Sequence, residues 1–454
     1  MDRKYIVAIE IASSHISATA ASVDDKQNVN ILCIHKVPAT DCIRYGSVVN
    51  VEKTNKHVST LIQAIEKEEK ISPRKVTKVF VGIDCRSLHN EVANFSRELS
   101  VETPIQESDI KEIEQEAAGK YSDFKVLGTY PRSIEVDQTE HANPIGIVGA
   151  HLSACFNVIV CRKQIIRNID MVFNSLPGMD IKLKDIIVTP LAVAEIVLTP
   201  EERRLGCMLV DHGAETTTVS IYKNDRLMYL NVLPMGSKNI TRDLTSLNIL
   251  EENAERLKRE YGNAIASSDD VPKFNAGNIN PLDFSNYVTA RAGEIAENIA
   301  NQLQIADFSP ETLPAGIVAI GGGCELKGFL ELLAQATKMN VRKGFLPGNQ
   351  NDAGLNQKLQ ILSIAHAAAH VLGDDSCLTE AEEKKVLPPL PDMDEYEPEE
   401  VEKEPEKEKK KPKTSRPSFF DRLRRKIEAI TDDDKIFGNE EEEENDNSPK
   451  NRRL

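Results

Sequence analysis

The sequence predicts a duplicated α/β fold in which two lobes face each other across a cleft. Three β-rich stretches, at residues 5–11, 16–23 and 31–37, open the chain and are joined by short polar turns. From residue 206 the same order of strand, polar turn and two further strands returns, without a repeat of the sequence itself. A duplicated unit of this kind places its candidate binding site between the two copies.

The first copy continues as an alternation of helix and strand. Residues 53–70 carry apolar side chains at helical spacing, and residues 77–83 are typical of a fourth strand. Residues 85–161 interrupt this order and predict a small inserted α+β subdomain, whose helix at 106–120 begins with a capping signal at Ser108. Two strands of the insertion are predicted at 133–136 and 150–161, and the interrupted order resumes with a helix at 163–176, a strand at 185–188 and a helix at 191–198.

The second copy also contains an insertion. Residues 237–309 are mostly helical in pattern, and an apolar strand at 316–320 then ends in three consecutive glycines. The other elements predicted in this half are strands at 207–210, 218–222 and 226–233 and helices at 326–339 and 357–372.

Composition excludes several classes of function. The chain has 454 residues and a net charge of −16, so it lacks the basic field that a nucleic-acid-binding protein needs, and we expect no nucleic-acid partner. No window approaches ~20 uninterrupted apolar residues, so any membrane contact should be peripheral. Eight cysteines occur without a CxxC pair and without a partner at zinc-site spacing, which is typical of buried, reduced thiols.

The C-terminal part differs in character from the rest. Residues 373–417 contain seven prolines and 24 charged side chains, which predicts a disordered linker. Residues 418–430 then form an amphipathic pattern that suits an anionic membrane surface, and residues 431–454 form an acidic tail that we also expect to be disordered. Docking of this helix on the chain's own body or on a partner protein is the alternative. The predicted membrane-binding side chains are Phe419, Phe420, Leu423, Arg424, Lys426, Ile427 and Ile430.

Three turns of small residues carry the candidate site chemistry. The first holds Glu10, Ala12, Ser13, Ser14 and His15, the second holds Asp211, Gly213, Ala214, Glu215 and Thr216, and the third holds Gly321, Gly322 and Gly323. Small residues let a phosphate approach the backbone N–H groups, and an acidic residue at a strand end can hold Mg²⁺ through water. The structural alternatives are an ion pair between lobes for Glu10, a turn cap for Asp211 and a ligand-free turn for the glycines.

These turns are the basis of a family resemblance. The segments IEIASSHI, LVDHGAETTTVSIY and GIVAIGGGCELKGF resemble the two phosphate loops and the adenosine loop of the actin-like ATPase superfamily, and within it the FtsA family of bacterial cell-division proteins. The resemblance covers residues 4–372. It implies an actin-like two-lobed fold, built from duplicated ribonuclease H-like sheets, with ATP and Mg²⁺ in the cleft. Glu10 and Asp211 would then lie at the metal, and the three turns would lie at the nucleotide.

The resemblance also implies how the chain is divided. The insertion and the C-terminal linker with its helix occur where this family has its distinctive subdomain and its membrane tether. Glu255 and Lys258, in the segment AERLK, resemble the pair that contacts the sugar and base of the nucleotide in this family. The implied parts are lobe I (subdomain IA) at 1–84 and 162–194, subdomain IC at 85–161, lobe II (subdomain IIA) at 195–236 and 310–372, and subdomain IIB at 237–309.

Both phosphate loops depart from the usual family pattern. The first has Glu10, Ala12 and Ser13 where the family usually has Asp, Gly and Thr, and His15 replaces a common Lys. In the second loop, Glu215 would place a carboxylate beside a phosphate. We therefore expect a weakened ATP site with at most weak ATPase activity, and we assign no catalytic residue.

As a function, the resemblance implies a division protein that polymerises and tethers FtsZ filaments to the cytoplasmic face of the inner membrane at the septum. The C-terminal peptide of FtsZ would bind the helical insertion, where Arg291 aligns with a basic residue used for that purpose, although Arg291 could instead pair with Glu294. Other division proteins are further expected partners.

Two rival functions share this fold. A pilus-assembly scaffold resembling PilM would need no membrane helix. A sugar kinase would need a further carboxylate near the terminal phosphate, and the sequence offers no convincing one beyond Glu10, Asp211 and Glu215.

Overall fold

The computed structural model of the chain describes residues 4–24, 28–99, 104–141, 143–266, 279–347, 357–373 and 375–379. Most of the predicted linker, the predicted membrane helix at 418–430 and the acidic tail at 431–454 lie outside these residues. Among the described helices, none combines the length and the apolar character needed to cross a membrane.

Eighteen strands and ten α-helices occur in the described residues. The strands are β1 (Lys4–Ile11), β2 (His15–Val23), β3 (Val29–Pro38), β4 (Ile43–Arg44), β5 (Ser47–Val48), β6 (Lys75–Val76), β7 (Lys78–Ile83), β8 (His89–Glu98), β9 (Phe124–Val136), β10 (Thr139–Glu140), β11 (His151–Arg162), β12 (Lys182–Val188), β13 (Cys207–His212), β14 (Thr217–Lys223), β15 (Arg226–Leu233), β16 (Ile317–Ile320), β17 (Val341–Lys343) and β18 (Leu378–Thr379). The helices are α1 (Val51–Glu66), α2 (Glu107–Gly119), α3 (Lys163–Asn174), α4 (Thr189–Val197), α5 (Pro200–Leu205), α6 (Ser237–Leu244), α7 (Glu251–Tyr261), α8 (Pro281–Ile305), α9 (Phe329–Thr337) and α10 (Leu359–Val371).

The first sheet has five strands in the order β12-β7-β1-β2-β3. β1 runs antiparallel to β2 and parallel to β7, and Glu10 is paired with Gly82 in the parallel register. β1 is buried on both faces, with Ile6 and Ile9 fully inaccessible, as expected for a sheet covered by helices on both sides. The carboxyl ends of β1 and β7 therefore meet at one edge of the sheet.

The second sheet repeats this arrangement and also contains the insertion. Its nine strands follow the order β10-β9-β11-β8-β15-β14-β13-β16-β17. β13 pairs antiparallel with β14 and parallel with β16, and Asp211 pairs with Ile320. Asp211 and the glycines that follow Ile320 therefore share an edge. The inserted strands β8–β11 join the repeat through a single pair between Asn231 and His89.

The described residues form three hydrophobic cores. The first surrounds the first sheet, includes Phe80 and extends to Leu209 and Ile320 of the second sheet. The second packs α6–α9 on the repeat strands around Phe284, and the third fills the stretch of β8–β11 around Phe156. The predicted actin-like α/β architecture, with its duplicated strand order, is confirmed. The division of the chain into lobes and subdomains stays a prediction.

Several local predictions differ from the structure. The cap of α2 is Gln106, which forms a reciprocal capping box with Asp109, so the predicted cap at Ser108 is wrong. The predicted helix at 326–339 begins later, at Phe329, because Gly328 adopts a left-handed φ of +75°. β8 was not predicted because most of its side chains are polar, so the alternation of apolar and polar residues that marks a strand is weak there.

The globular body extends past residue 372, where the sequence predicts its end. The backbone N–H of Cys377 donates to the carbonyl of Tyr5 at 2.8 Å, and the carbonyl of Cys377 accepts from Thr77 at 2.9 Å. Leu378 pairs with Val76 between β18 and β6. Cys377 is fully buried, so the predicted start of the linker at 373 is wrong. The short apolar stretch between charged residues gave too weak a pattern to predict this strand.

Candidate functional site

The edges of the two sheets face each other through direct hydrogen bonds. The hydroxyl of Thr218, on β14, donates to both carboxylate oxygens of Asp84 at 2.7–2.8 Å. The backbone N–H of Tyr45, near the first sheet, donates to Glu215 at 2.8 Å. These contacts bring the three predicted turns to one side of the molecule, where the strands β1, β7, β13 and β16 all end.

Glu10 lies at the end of β1 and is nearly buried. Its carboxylate accepts a hydrogen bond from Ser17 and lies 3.6 Å from Nε2 of His15. Burial acts to raise the pKa of Glu10, but the interactions with His15 and Ser17 outweigh it and hold this pKa below its ordinary value. Glu10 is therefore a carboxylate that stays charged, which is what a cation ligand requires. The contacts with His15 and Ser17 come from its own hairpin, so the alternative of an ion pair between lobes is not seen.

Asp211 lies at the end of β13 and accepts a hydrogen bond from the side-chain amide of Gln360, on α10, at 3.1 Å. Burial raises its pKa to about 6, and the nearby negative charge of Glu10 adds to this shift against the opposing bond from Gln360. Asp211 and Glu10 are thus electrostatically coupled across the two sheets, although they come from different copies of the repeat.

Asp84 is a third acidic residue at this site, and the sequence analysis missed it. It directly follows β7, whose carboxyl end lies beside that of β1. Burial, together with repulsion from Asp211 and from Glu10, raises its pKa to about 7 against the opposing hydrogen bond from Thr218. The signal was available, because an acidic residue at the carboxyl end of an apolar strand occurs at Glu10 and Asp211 as well. The sequence-based expectation of no further carboxylate in the cleft beyond Glu10, Asp211 and Glu215 is therefore wrong.

The first turn is closed by its own backbone hydrogen bonds and is also bonded to Gly46, which lies in another segment. The backbone groups of Ala12 and His15 bond to each other at 3.0 and 3.3 Å, and the Ser13 hydroxyl accepts from the N–H of Gly46 at 2.8 Å. Ser14 is exposed, and its hydroxyl lies 2.8 Å from Nδ1 of His15. Gly46 has a φ of +70°, and a Cβ there would lie 1.9 Å from the carbonyl oxygen of Asp84. Only glycine fits where this segment crosses the end of β7.

The second turn is supported by the start of α6. Gly213 closes it through a bond from its N–H to the carbonyl of Thr216 at 2.9 Å. The carbonyls of Gly213 and Ala214 accept from the backbone of residues 237 and 238 at 3.0 and 2.8 Å. A Cβ on Gly236 would lie 2.5 Å from the Ala214 carbonyl, which explains a glycine at that position.

Glu215 does not point into open space at the site. Its side chain is fully buried and accepts hydrogen bonds from the Tyr45 backbone and from Arg242 on α6. It also forms an ion pair with Arg44, whose Nη1 lies 3.4 Å from Oε1 of Glu215. Glu215 was predicted to lie beside a phosphate of the nucleotide. In the structure its charge is already neutralised by two arginines from opposite sides of the site, which needs long-range contacts that no sequence motif displays.

The third turn packs on the end of β13. Gly321 has a φ of +91°, and a Cβ there would lie 2.4 Å from Oδ1 of Asp211. A Cβ on Gly323 would lie 2.1 Å from the ring of His212, whereas one on Gly322 would meet nothing within 4 Å. The outer two glycines are thus required by the fold, and Gly322 leaves its backbone open.

His212 is a structural residue that the sequence analysis did not single out. Its ring stacks on Phe329 at 4.6 Å, and Nδ1 lies 2.8 Å from the Thr217 hydroxyl. Burial, aided by the charge of Lys258, lowers its pKa to about 3, so the ring is neutral. The His212 ring packs against Gly323 and so holds the third turn in place.

Glu255 and Lys258 lie together on α7 and contact α6. The Lys258 ammonium donates to Glu255 at 2.6 Å, to the Thr241 hydroxyl at 2.9 Å and to the Ser237 carbonyl at 3.1 Å. The segment after α7 pairs with the segment that follows the third turn, through a bridge between Asn263 and Lys327. The predicted pair therefore lies next to the second and third turns, with its charges paired to each other.

Arg291 lies away from these turns, on α8. Its guanidinium forms a two-bonded ion pair with Asp243 at 2.5 and 3.2 Å and also pairs with Glu294. The pairing with Glu294 that the sequence left open is present, and Asp243 adds a second carboxylate that links α8 to α6. A role in binding a partner stays a prediction.

Comparisons with known proteins agree with this geometry. The family model "Cell division protein FtsA" matches residues 208–350. A relative of that name from Porphyromonas gingivalis is 26% identical over 81% of this chain and 78% of its own length. Another, from Pseudomonas aeruginosa, is 28% identical over 75% of this chain and 83% of its own length. The solved PilM-PilN type IV pilus biogenesis complex is similar in fold, with a TM-score of 0.56 and 16% identity over 80% of this chain and 98% of that one.

The duplicated sheets and the turns between them give the chain an actin-like fold. The family model that matches and the curated relatives are all cell-division proteins named FtsA, and this chain is similar to them over most of its length.

Proposed function

We propose that this protein binds ATP between its two lobes and tethers FtsZ filaments to the membrane at the division septum. The observation that carries the proposal is the meeting of three small-residue turns at one site in a chain that is similar to FtsA proteins. The nucleotide would lie against the turns of Ala12–His15, Gly213–Thr216 and Gly321–Gly323, with Glu255 and Lys258 at its sugar and base.

Mg²⁺ fits the charge of this site. Glu10 and Asp211 are carboxylates at adjoining strand ends, and Asp84 adds a third whose pKa is raised to about 7 by burial and by the other two. Carboxylate oxygens are the ligands that Mg²⁺ prefers, and a divalent cation would relieve this repulsion. Such an ion would neutralise the phosphates of the nucleotide. Glu10 and Asp211 would hold it, and Asp84 would remain bonded to Thr218.

The altered turns favour binding over turnover. Ala12 and Ala214 carry methyl groups where the family usually has glycine, and His15 stands where a lysine is common. Glu215 is held by Arg44 and Arg242, so these arginines are occupied and not free to stabilise a transferring phosphoryl group. We infer weak ATPase activity at most, with the nucleotide acting on the conformation and self-association of the body.

The C-terminal segment would supply the membrane attachment. An apolar stripe of Phe419, Phe420, Leu423, Ile427 and Ile430, bordered by Arg424 and Lys426, would insert at an anionic surface. One such helix binds weakly, but many of them on one filament act together through effective concentration. Self-association of the body is therefore part of the proposed tethering mechanism.

FtsZ recruitment would use the surface of the helical insertion. The C-terminal peptide of FtsZ would bind near α8, where Arg291 would exchange its bonds to Asp243 and Glu294 for an acidic group of the peptide. This exchange predicts modest affinity, since each bond to the peptide replaces one within the protein.

A scaffold role without a membrane helix is the second candidate, and the fold similarity to the PilM-PilN complex favours it. Sedimentation with vesicles separates the two. The full chain should pellet FtsZ with anionic liposomes, and the double variant Phe420→Ser/Leu423→Ser should leave both proteins in solution. The single variant Arg291→Glu should itself pellet but fail to carry FtsZ. The membrane tether would be contradicted if the double variant pelleted or if the unmodified chain did not pellet. If Arg291→Glu carried as much FtsZ as the unmodified chain, Arg291 would not be part of the FtsZ-binding surface.

A further inference from the structure

Away from the cleft, three side chains with metal-binding atoms converge on the first sheet. Cys33 and His35 lie on β3, which is the edge strand of that sheet, and Glu68 lies in the turn after α1. The cysteine sulfur, a ring nitrogen of the histidine and a carboxylate oxygen all lie within 4.8 Å of one another. None of the three takes part in the proposed nucleotide site.

The fold places these side chains together for simple reasons. Residues two apart on a strand point to the same face, and the pairing of Cys33 with Ala20 and of His35 with Ala18 is regular. α1 packs against β3. The main chain of Glu68 is fixed, because its carbonyl accepts from Ile71 at 2.9 Å and from Ser72 at 2.8 Å. The carboxylate is therefore held beside the strand by a defined turn.

The contact between His35 and Glu68 is unusual. Nε2 of His35 is buried, and among the described residues it has no hydrogen-bond partner. Yet Oε1 of Glu68 lies only 2.8 Å from it, without hydrogen-bond geometry. Two ligand atoms of one tetrahedral zinc ion, each ~2.0–2.2 Å from the metal, lie roughly 3.3 Å apart. The two atoms are thus arranged as neighbouring ligands of one ion would be, after a small outward shift.

We propose that Cys33, His35 and Glu68 bind one zinc-type divalent cation, with the fourth position open to water. Sulfur, imidazole nitrogen and carboxylate oxygen together form a donor set that selects zinc over Mg²⁺ or Ca²⁺. All three residues are partly exposed, so the ion has a route from solvent. In the metal-free protein, burial and the Glu68 charge raise the pKa of the Cys33 thiol, so metal binding releases that proton to solvent.

A second cluster in the same lobe provides a control. Asp41, Cys42 and His57 also lie within 4.8 Å of one another. There, however, the ammonium of Lys53 lies 3.1 Å from the Asp41 carboxylate and competes with a cation. Cys42 is fully buried and its thiol donates to the Ala39 carbonyl at 3.5 Å. This second cluster should not bind the metal.

The bound ion would join the edge strand β3 to the end of α1. A ligand that binds only the folded state stabilises it by mass action, so zinc should raise the melting temperature of the chain. It would also restrain an edge strand whose outer backbone groups are otherwise open to pairing with another chain.

Cobalt(II) tests the site directly, because a cobalt–thiolate bond gives a charge-transfer absorption that other ligands do not. The full chain, freed of metal with a chelator, should bind one equivalent of Co²⁺ with this absorption and lose it when Zn²⁺ is added. Cys33→Ser should abolish the absorption, and Cys42→Ser should leave it unchanged. Glu68→Gln, at a partly exposed position that leaves the fold intact, should weaken Zn²⁺ binding ~10-fold or more and remove the rise in melting temperature.

Any of three results would overturn the proposal. The first is the absence of thiolate absorption with one equivalent of Co²⁺ in the unmodified chain. The second is absorption that survives Cys33→Ser. The third is Zn²⁺ stabilisation that is the same in Glu68→Gln as in the unmodified chain. Circular dichroism of each variant shows whether its fold is retained.

Discussion

Glu215 is the residue whose role changes most between sequence and structure. It interrupts a phosphate-loop pattern, which suggested repulsion of a nucleotide. The structure instead surrounds its buried carboxylate with Arg242, Arg44 and the Tyr45 backbone, which come from both sides of the site. A buried charge with several donors fixes the relative position of the segments that carry them.

This role predicts a stability loss for Glu215→Gln. The substitution keeps the shape and one acceptor but leaves two arginines without their carboxylate. Both arginines are partly exposed, which reduces the cost, and we expect a loss of ~1–3 kcal/mol in the free energy of unfolding. Urea unfolding measures it. The matched control is Glu325→Gln, which breaks an exposed pair with Lys343 and should change stability by less than ~0.5 kcal/mol. Equal stability of the two variants would contradict the assigned role.

The raised pKa of Asp84 predicts that the free energy of unfolding depends on pH. Its pKa of about 7 in the folded state, caused by burial and by repulsion from Asp211 and Glu10, lies above its ordinary value of 3.8. Between these two values the folded state holds a proton that the unfolded state releases, so the free energy of unfolding falls as pH rises towards 7. Asp84→Asn should flatten this fall. Urea unfolding at about pH 5 and about pH 8, with chelator and without nucleotide, compares the slopes. The same slope in both proteins would show that Asp84 does not titrate in this range.

At the scale of elements, short strands that pair far along the chain were the hardest to predict. β1–β3 and β13–β15 followed from apolar periodicity and polar turns, because each is a local pattern. β18 is only two residues long and exists because Leu378 meets Val76 some 300 positions earlier. The same reason explains the site. Glu10, Asp211 and the glycines have local motifs, whereas Asp84 and the partners of Glu215 are defined only once the two sheets meet.

Truncation tests the contribution of β18. A chain ending at residue 372 lacks Cys377 and Leu378, whose burial and backbone bonds to Tyr5 and Thr77 close the edge of the first lobe. We expect its free energy of unfolding to be ~2–4 kcal/mol lower than that of a chain ending at residue 385. Thermal and urea unfolding of both truncations measure the difference. If the two chains are equally stable, the body does end at 372 as the sequence predicts.

At the scale of the whole molecule, two copies of one α/β unit meet at their strand ends. Hydrogen bonds such as those from Thr218 to Asp84 and from Tyr45 to Glu215 join them at the site, and one hydrophobic core continues from the first sheet into the second. A site that is built from both copies changes whenever the copies move relative to each other. A nucleotide bound there would therefore couple to the conformation of the body, and through it to filament formation.

The central claim is that this site binds ATP despite its altered turns. Calorimetric titration of the full chain with ATP and Mg²⁺ tests it most directly, with Gly322→Ala as the matched variant. A methyl group at Gly322 meets no protein atom within 4 Å, so it should leave the melting temperature unchanged while it hinders a nucleotide on the third turn. The account predicts micromolar binding by the unmodified chain and at least ~10-fold weaker binding by Gly322→Ala. Absence of binding at millimolar ATP, or equal affinity of the two proteins, would contradict it.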